Sequence, residues 1–358
     1  MAATQEALYG RLDLALSWSE AELPERERTK HVHRLHPYLG KFVPQLVEAL
    51  LERYVPRGGR VLDPFAGSGT TLVQSLESGY DAVGVDVAPF NCLLMQVKTE
   101  AHDLGRLRRD LDDAHARAAA FAWDGKPLAD ASAFVRDWYA PRAAAELLGF
   151  RAALEGSASA DVLRVVLARA ARSARRTTHF DLDFPRAPQL EPYLCRKHRR
   201  VCRPVEEARR FLLRYARDTL ARVEAFAEVR DEGARATVLH GDARTLELGG
   251  PFAGVVTSPP YPGLIDYHDQ HRYAYELLRL PRRGAEELGR PANGLSRSAI
   301  LAYVEGAPGI AEHRRDLYPE ILRRAGLRLD DRLERHVNRR TGLRAGEYFE
   351  SVLVCRSE

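Results

Sequence analysis

Arg60-Val61-Leu62-Asp63-Pro64-Phe65-Ala66-Gly67-Ser68-Gly69-Thr70-Thr71 decides the fold. A short apolar run ends in an aspartate, turns through two glycines and enters an amphipathic stretch from Leu72 to Gly79, which reads as strand, loop and helix. Glycines at 67 and 69 let the backbone come close to a ligand, and the helix start behind them presents free N–H groups. A phosphate-binding loop would need Gly-Lys-Ser/Thr at the helix start, and a dinucleotide fingerprint a third glycine at fixed spacing. Neither is present. The next strand, Asp81 to Asp86, ends in a carboxylate about twenty residues past the loop, where sheets of this kind hold ribose hydroxyls.

The second informative stretch is Val255-Val256-Thr257-Ser258-Pro259-Pro260-Tyr261. Paired valines predict a buried strand, and two prolines end it in a polar, aromatic turn. In open α/β sheets the carboxyl ends of the strands face the ligand crevice, so this turn is a candidate site of chemistry. A further strand, Ala236 to His240, runs into Gly241-Asp242-Ala243.

Together these motifs resemble the DNA amino-methyltransferases, which use S-adenosylmethionine (AdoMet). Ser258-Pro259-Pro260-Tyr261 is similar to their catalytic motif, in the serine-first form commoner among cytosine-N4 enzymes, whereas adenine-N6 enzymes more often begin with Asp or Asn. The Asp63–Thr70 loop is similar to their AdoMet loop. Lys41-Phe42-Val43-Pro44, which leads into a helix, is similar to the segment that helps enclose the cofactor. The resemblance implies that Lys41, Phe42, Pro44, Asp63, Pro64, Phe65, Ala66, Gly67, Ser68, Gly69 and Thr70 bind AdoMet, with Asp86 at the ribose and Asp242 at the adenine. Methylating an exocyclic amine requires acceptors for its N–H groups, since its lone pair is delocalised into the base. Ser258 and the carbonyl before Pro260 suit that need, and Tyr261 offers a face for an extruded base, a stack worth about 1–3 kcal/mol.

The implied fold class is α/β, a Rossmann-like class I methyltransferase sheet, mostly parallel with an antiparallel terminal hairpin, carrying a large helical insertion. We divide the chain into an arm (1–35), an AdoMet-binding catalytic domain (36–99 and 234–358) and a helical insertion (100–233) as a DNA-recognition region. Leu327–Val337 and Glu347–Val354 supply the hairpin. Such sheets carry another helix and parallel strand before it. A helix fits Ser298–Val304, but Glu305–Arg314 contains no β-run, so the sheet is cut short or a segment is absent from the sequence.

With 358 residues, 45% hydrophobic, the chain can bury a full core. Its net charge of +4 permits nucleic-acid binding. Lysine occurs only at 30, 41, 98, 126 and 197, so arginine carries the positive charge. Arginines cluster in Leu163–Arg176 and in Cys195–Arg203, and we assign DNA contacts to Arg172, Arg175, Arg199 and Arg200, with Tyr267 and His268 in the loop after the catalytic turn. The partner expected is double-stranded DNA with one base flipped, alongside a companion restriction endonuclease and no membrane.

Cys92, Cys195, Cys202 and Cys355 are too few and too scattered for a disulfide framework, which points to the cytoplasm. Cys195, His198 and Cys202 have metal-like spacing but no matching second pair, so no metal is expected. The expected activity is site-specific methylation of cytosine N4 in DNA, with adenine-N6 methylation the first alternative, and two further functions share some of these features. An RNA guanine-N2 methyltransferase would carry an RNA-binding module and an acidic first motif residue. A DNA-binding protein with a dead cofactor pocket would not need Asp63, Gly67, Gly69, Ser258 and Tyr261 intact.

Overall fold

The structure is a computed structural model that describes residue 18 and residues 22–120, 131–177, 187–195, 199–258, 266–287, 326–337 and 348–357. Residues 30–293 form one compact unit, and 1–29 with 294–358 a second.

In the larger unit, β1 (Arg60–Asp63) lies at the centre of a parallel sheet ordered β5-β2-β1-β6. It pairs with β2 (Asp81–Asp86) on one side and β6 (Gly254–Val255) on the other, and β5 (Ala236–His240) adds beyond β2. Val61, Leu62, Val83 and Val85 are buried, as expected for strands covered on both faces. Because all four strands run the same way, Asp63, Asp86, His240 and Val255 end at one edge. The chain runs outward from β1 to β2 and β5 and then crosses back to β6 on the other side of β1, and this reversal of strand order opens a crevice.

Three helices begin with proline at the first turn, where its missing N–H is no loss: α1 (Pro44–Tyr54), α3 (Pro89–Thr99) and α6 (Pro141–Ala152). Helix α2 (Thr70–Glu77) follows the glycine loop. Beyond α3 come α4 (Leu104–Ala120), α5 (Ala133–Trp138), α6, α7 (Ala160–Ala174), a β3–β4 hairpin (Tyr193–Cys195, Arg200–Cys202) and α8 (Arg209–Ala227). Further along the chain, among the described residues, come two short helices, α9 (Tyr267–Gln270) and α10 (Arg272–Leu278).

The domain division drawn from sequence shifts here. The helical segment does not stand apart, because α7, with only its Asp161 and Arg164 side turned to solvent, buries Val162, Leu163, Val165, Val166, Leu167 and Ala168 in the same core as Phe90 and Leu94 of α3 and Tyr273 of α10. The arm also ends earlier than residue 35, since Val32, His33 and Leu35 are buried in the larger unit.

The second unit contains the terminal hairpin, β7 (Leu327–Val337) and β8 (Tyr348–Ser357). They pair antiparallel as a two-stranded sheet, with a register irregularity between Leu329 and Asp331. The helix expected at 298–304 and the strandless stretch 305–314 lie outside the described residues.

Candidate functional site

The loop after β1 is shaped by its two glycines, which sit at φ +52° (Gly67) and +79° (Gly69), a region unfavourable to side chains. A Cβ on Gly67 would lie 3.0 Å from the Tyr38 hydroxyl, and one on Gly69 would lie 2.8 Å from Met95 Cγ. The loop is thus both bent and tightly roofed.

Two carboxylates hold it, Asp63 buried and Asp86 half-buried. Asp63 accepts from the Phe65 backbone N–H at 3.1 Å and the Thr257 hydroxyl at 2.7 Å. Asp86 accepts from the N–H groups of Gly67 (3.0 Å) and Ala88 (2.8 Å) and from the Asn91 amide (3.1 Å). These bonds favour the ionised forms, but burial dominates and pushes Asp63 up to about 6 and Asp86 up to about 7. Asn91 also donates to the Tyr38 hydroxyl at 3.2 Å, and Tyr38 stacks on Tyr267 at 5.2 Å.

These groups border one open cleft. Of the residues assigned to the cofactor from sequence, Lys41, Phe42, Asp63, Pro64, Phe65, Ala66, Gly67, Ser68, Thr70, Asp86 and Asp242 line it. Gly69 turns the backbone behind the wall, and Pro44 is buried at the start of α1, so neither faces the cleft. The Asp242 carboxylate is paired with Arg244, which holds it down at about 2.

Ser258 lines the same cleft. Its strand is fixed beside β1, because the Val256 N–H bonds to the Leu62 carbonyl at 3.0 Å and the Thr71 hydroxyl reaches the Val256 carbonyl at 3.4 Å. Pro259, Pro260 and Tyr261 lie outside the described residues.

The assigned DNA contacts separate into groups. Arg199 and Arg200 are exposed at the turn of the β3–β4 hairpin. Arg172 is half-buried. Arg175 is 1% exposed and lies over the Tyr273 ring at 5.1 Å, so it is a core residue and cannot reach a phosphate. His268 is likewise buried. Its Nε2 accepts the Arg283 N–H at 3.2 Å, while Nδ1 faces a Glu287 oxygen at 3.2 Å. Tyr267 belongs to the cleft.

Sequence reasoning missed Tyr38, Asn91, Glu286 and Glu287. All except Tyr38, which lies three residues before the Lys41-Phe42-Val43-Pro44 segment, come from stretches without a motif. Among the described residues, His31, His33 and Glu77 bring three potential metal donor atoms within 4.8 Å of one another. Lys30 is ion-paired to Glu77, and Lys41 and Lys98 also act on His33, so this neighbourhood is cationic.

A parallel sheet with a glycine loop, acidic residues at two strand ends and a Ser-Pro-Pro-Tyr sequence after a third strand defines an AdoMet-type methyltransferase site. Comparisons with known proteins give the family. The N6/N4 DNA methylase family model matches residues 12–96. Type II methyltransferase M.MjaII of Methanocaldococcus jannaschii is 32% identical over 454 aligned positions, covering 97% of this chain and 85% of the relative. Type II methyltransferases M.MvaI of Kocuria varians (33% identical, 23% of this chain and 18% of the relative) and M.BsoBI of Geobacillus stearothermophilus (29%, 21% and 15%) match shorter stretches. This chain belongs to the DNA amino-methyltransferase family. The M.MjaII alignment is longer than the chain itself, so that relative carries segments without a counterpart here.

AdoMet is therefore the cofactor, and the cleft fits it. A side chain at Gly67, which lines the cleft, would run into Tyr38 on the same wall. Ser68 Oγ and Glu287 Oε2 are buried without partners, polar groups that a bound ligand would satisfy. AdoMet brings an electrophilic methyl group. The residues lining the cleft would hold and orient it. Among the described residues no helix is long and apolar enough to cross a membrane.

Proposed function

We propose that this enzyme methylates the N4 amine of cytosine within a short, specific DNA sequence, as the modifying member of a restriction pair in the cytoplasm. The observation that carries the reading is Ser258, a neutral hydroxyl, standing on the wall of the AdoMet cleft where adenine enzymes more often have Asp or Asn. A hydroxyl is a compact acceptor suited to the smaller ring.

The target base would be flipped out of the duplex, at the expense of a few kcal/mol of stacking and pairing. Ser258 Oγ would accept one amine N–H and the carbonyl preceding Pro260 the other, drawing the nitrogen lone pair toward the methyl carbon. Tyr261 would stack on the flipped ring. No strong base is needed, because the methylated amine is acidic enough to lose its proton to water. Arg199 and Arg200, exposed on their hairpin, are the arginines we assign to the DNA backbone.

Nucleoside mass spectrometry of DNA treated with the enzyme and AdoMet decides the base. N4-methylcytosine supports the assignment. N6-methyladenine as the sole product overturns it.

A further inference from the structure

The β3–β4 hairpin presents apolar side chains to solvent. Leu194 and Val201 are cross-strand partners, and they are 74% and 62% exposed. The neighbouring strand positions Cys195 and Cys202 are buried instead. Leu194 is the most exposed large apolar side chain among the described residues, and Leu190, three residues before β3, is also exposed. Single apolar residues are normal on a surface, but two held side by side by strand register form a contact surface that calls for an occupant.

The surrounding charge identifies that occupant. From Pro192 to Arg203 the sequence has no acidic residue, and the four residues joining the strands, Arg196-Lys197-His198-Arg199, all carry basic side chains. Such turns normally use glycine, asparagine or aspartate. Here Arg199 takes the left-handed conformation those residues favour, at φ +51°. Arg199, Arg200 and Arg203 are exposed, and among the described residues none of them is ion-paired to a carboxylate. A second copy of the chain would bring the same positive charge to this face and be repelled, whereas a duplex brings phosphates. Size agrees with charge. Two strands about 4.8 Å apart make a ribbon that enters the major groove, about 12 Å wide, where apolar side chains pack on thymine methyl groups.

We infer that the β3–β4 hairpin lies in the major groove of the target DNA, with Leu194 and Val201 against base edges and Arg199, Arg200 and Arg203 on the flanking phosphates. Leu194 and Val201 are thus specificity-determining residues, and the arginines fix the register of the ribbon without reading sequence. The inference rests on DNA being the substrate, adds the element that reads its sequence, and is independent of which base receives the methyl group.

The test is methylation of plasmid DNA by the purified enzyme with AdoMet, the modified positions being mapped by single-molecule sequencing. Wild-type protein should mark one short sequence. The double variant Leu194→Ala/Val201→Ala should lower the ratio of target to single-mismatch rates by about tenfold or more, the scale of one lost base contact. Arg199→Ala/Arg203→Ala should slow every site alike and leave that ratio unchanged. An unchanged ratio in the Leu194/Val201 variant, with AdoMet affinity at the wild-type level, would overturn the inference, and so would equal losses at target and mismatched sites. Both side chains are exposed, so their truncation should spare the fold, and the two single variants carry the same test if the double variant loses AdoMet binding. A wild-type dimer in sedimentation that the double variant breaks, with the ratio unchanged, would give this face to a second copy instead. N6-methyladenine in the map would change the proposed base while the ratio is read in the same way, whereas no methylation of DNA by the wild-type enzyme would remove both readings.

Discussion

The Thr257 hydroxyl donates to the Asp63 carboxylate at 2.7 Å, joining the strand that leads to Ser258 to the strand that opens the cofactor loop. The two residues are far apart in sequence but meet because β6 and β1 are parallel neighbours in the sheet. This bond favours ionised Asp63, against the burial that raises its pKa. Thr257→Val keeps the shape and removes the donor, so it should destabilise the protein by about 1–3 kcal/mol at pH 8. The loss should shrink below pH 6, where Asp63 is protonated in the folded protein, and urea melts at both pH values check this.

Asp86 should matter to AdoMet through the loop it organises as well as through direct contact. Its carboxylate ties down the Gly67 and Ala88 N–H groups. We expect Asp86→Ala to weaken AdoMet at least about tenfold in calorimetry, equivalent to about 1.4 kcal/mol. An unchanged affinity would take Asp86 out of the site.

The same carboxylate sets a pH dependence. Asp86 titrates at about 7 in the folded chain, above the usual carboxylate value of about 4. The folded state therefore holds this proton more tightly, and the stability it contributes is complete below about pH 4 and lost as pH rises through 7. Ligand-free wild-type protein should lose stability relative to Asp86→Asn across that window. A constant difference between the two would contradict the burial argument.

The arginines divide into two experimental classes. Replacing Arg199 and Arg200 by Ala should flatten the slope of log affinity for DNA against log salt by up to about 0.9 per lost contact. Arg175→Ala should leave that slope alone and lower thermal stability instead, because Arg175 is packed against Tyr273. A slope change in Arg175→Ala with stability intact would reverse this division.

The sheet and the loop were legible in the sequence because their signals are local. Val61-Leu62-Asp63 and Gly67-Ser68-Gly69 specify a strand and a turn with no help from the rest of the chain. Arg175 was misread because charge was weighed before its surroundings. From Val162 to Ala171 every residue except Arg164 is buried, which marks a helix whose inward arginines need internal partners, as Arg169 finds in Asp218 and Thr219. Glu287 and Asn91 could not be found the same way. They reach the cleft from separate elements, and only the folded chain brings them to the ends of β1 and β2.

The most direct measurement is single-turnover methylation by Ser258→Ala, with AdoMet affinity determined alongside. If Ser258 accepts a hydrogen bond that strengthens as the amine becomes tetrahedral, the methyl-transfer rate should fall by about tenfold or more while AdoMet affinity barely changes. Methyl transfer at the full wild-type rate by Ser258→Ala would contradict the mechanism at its centre.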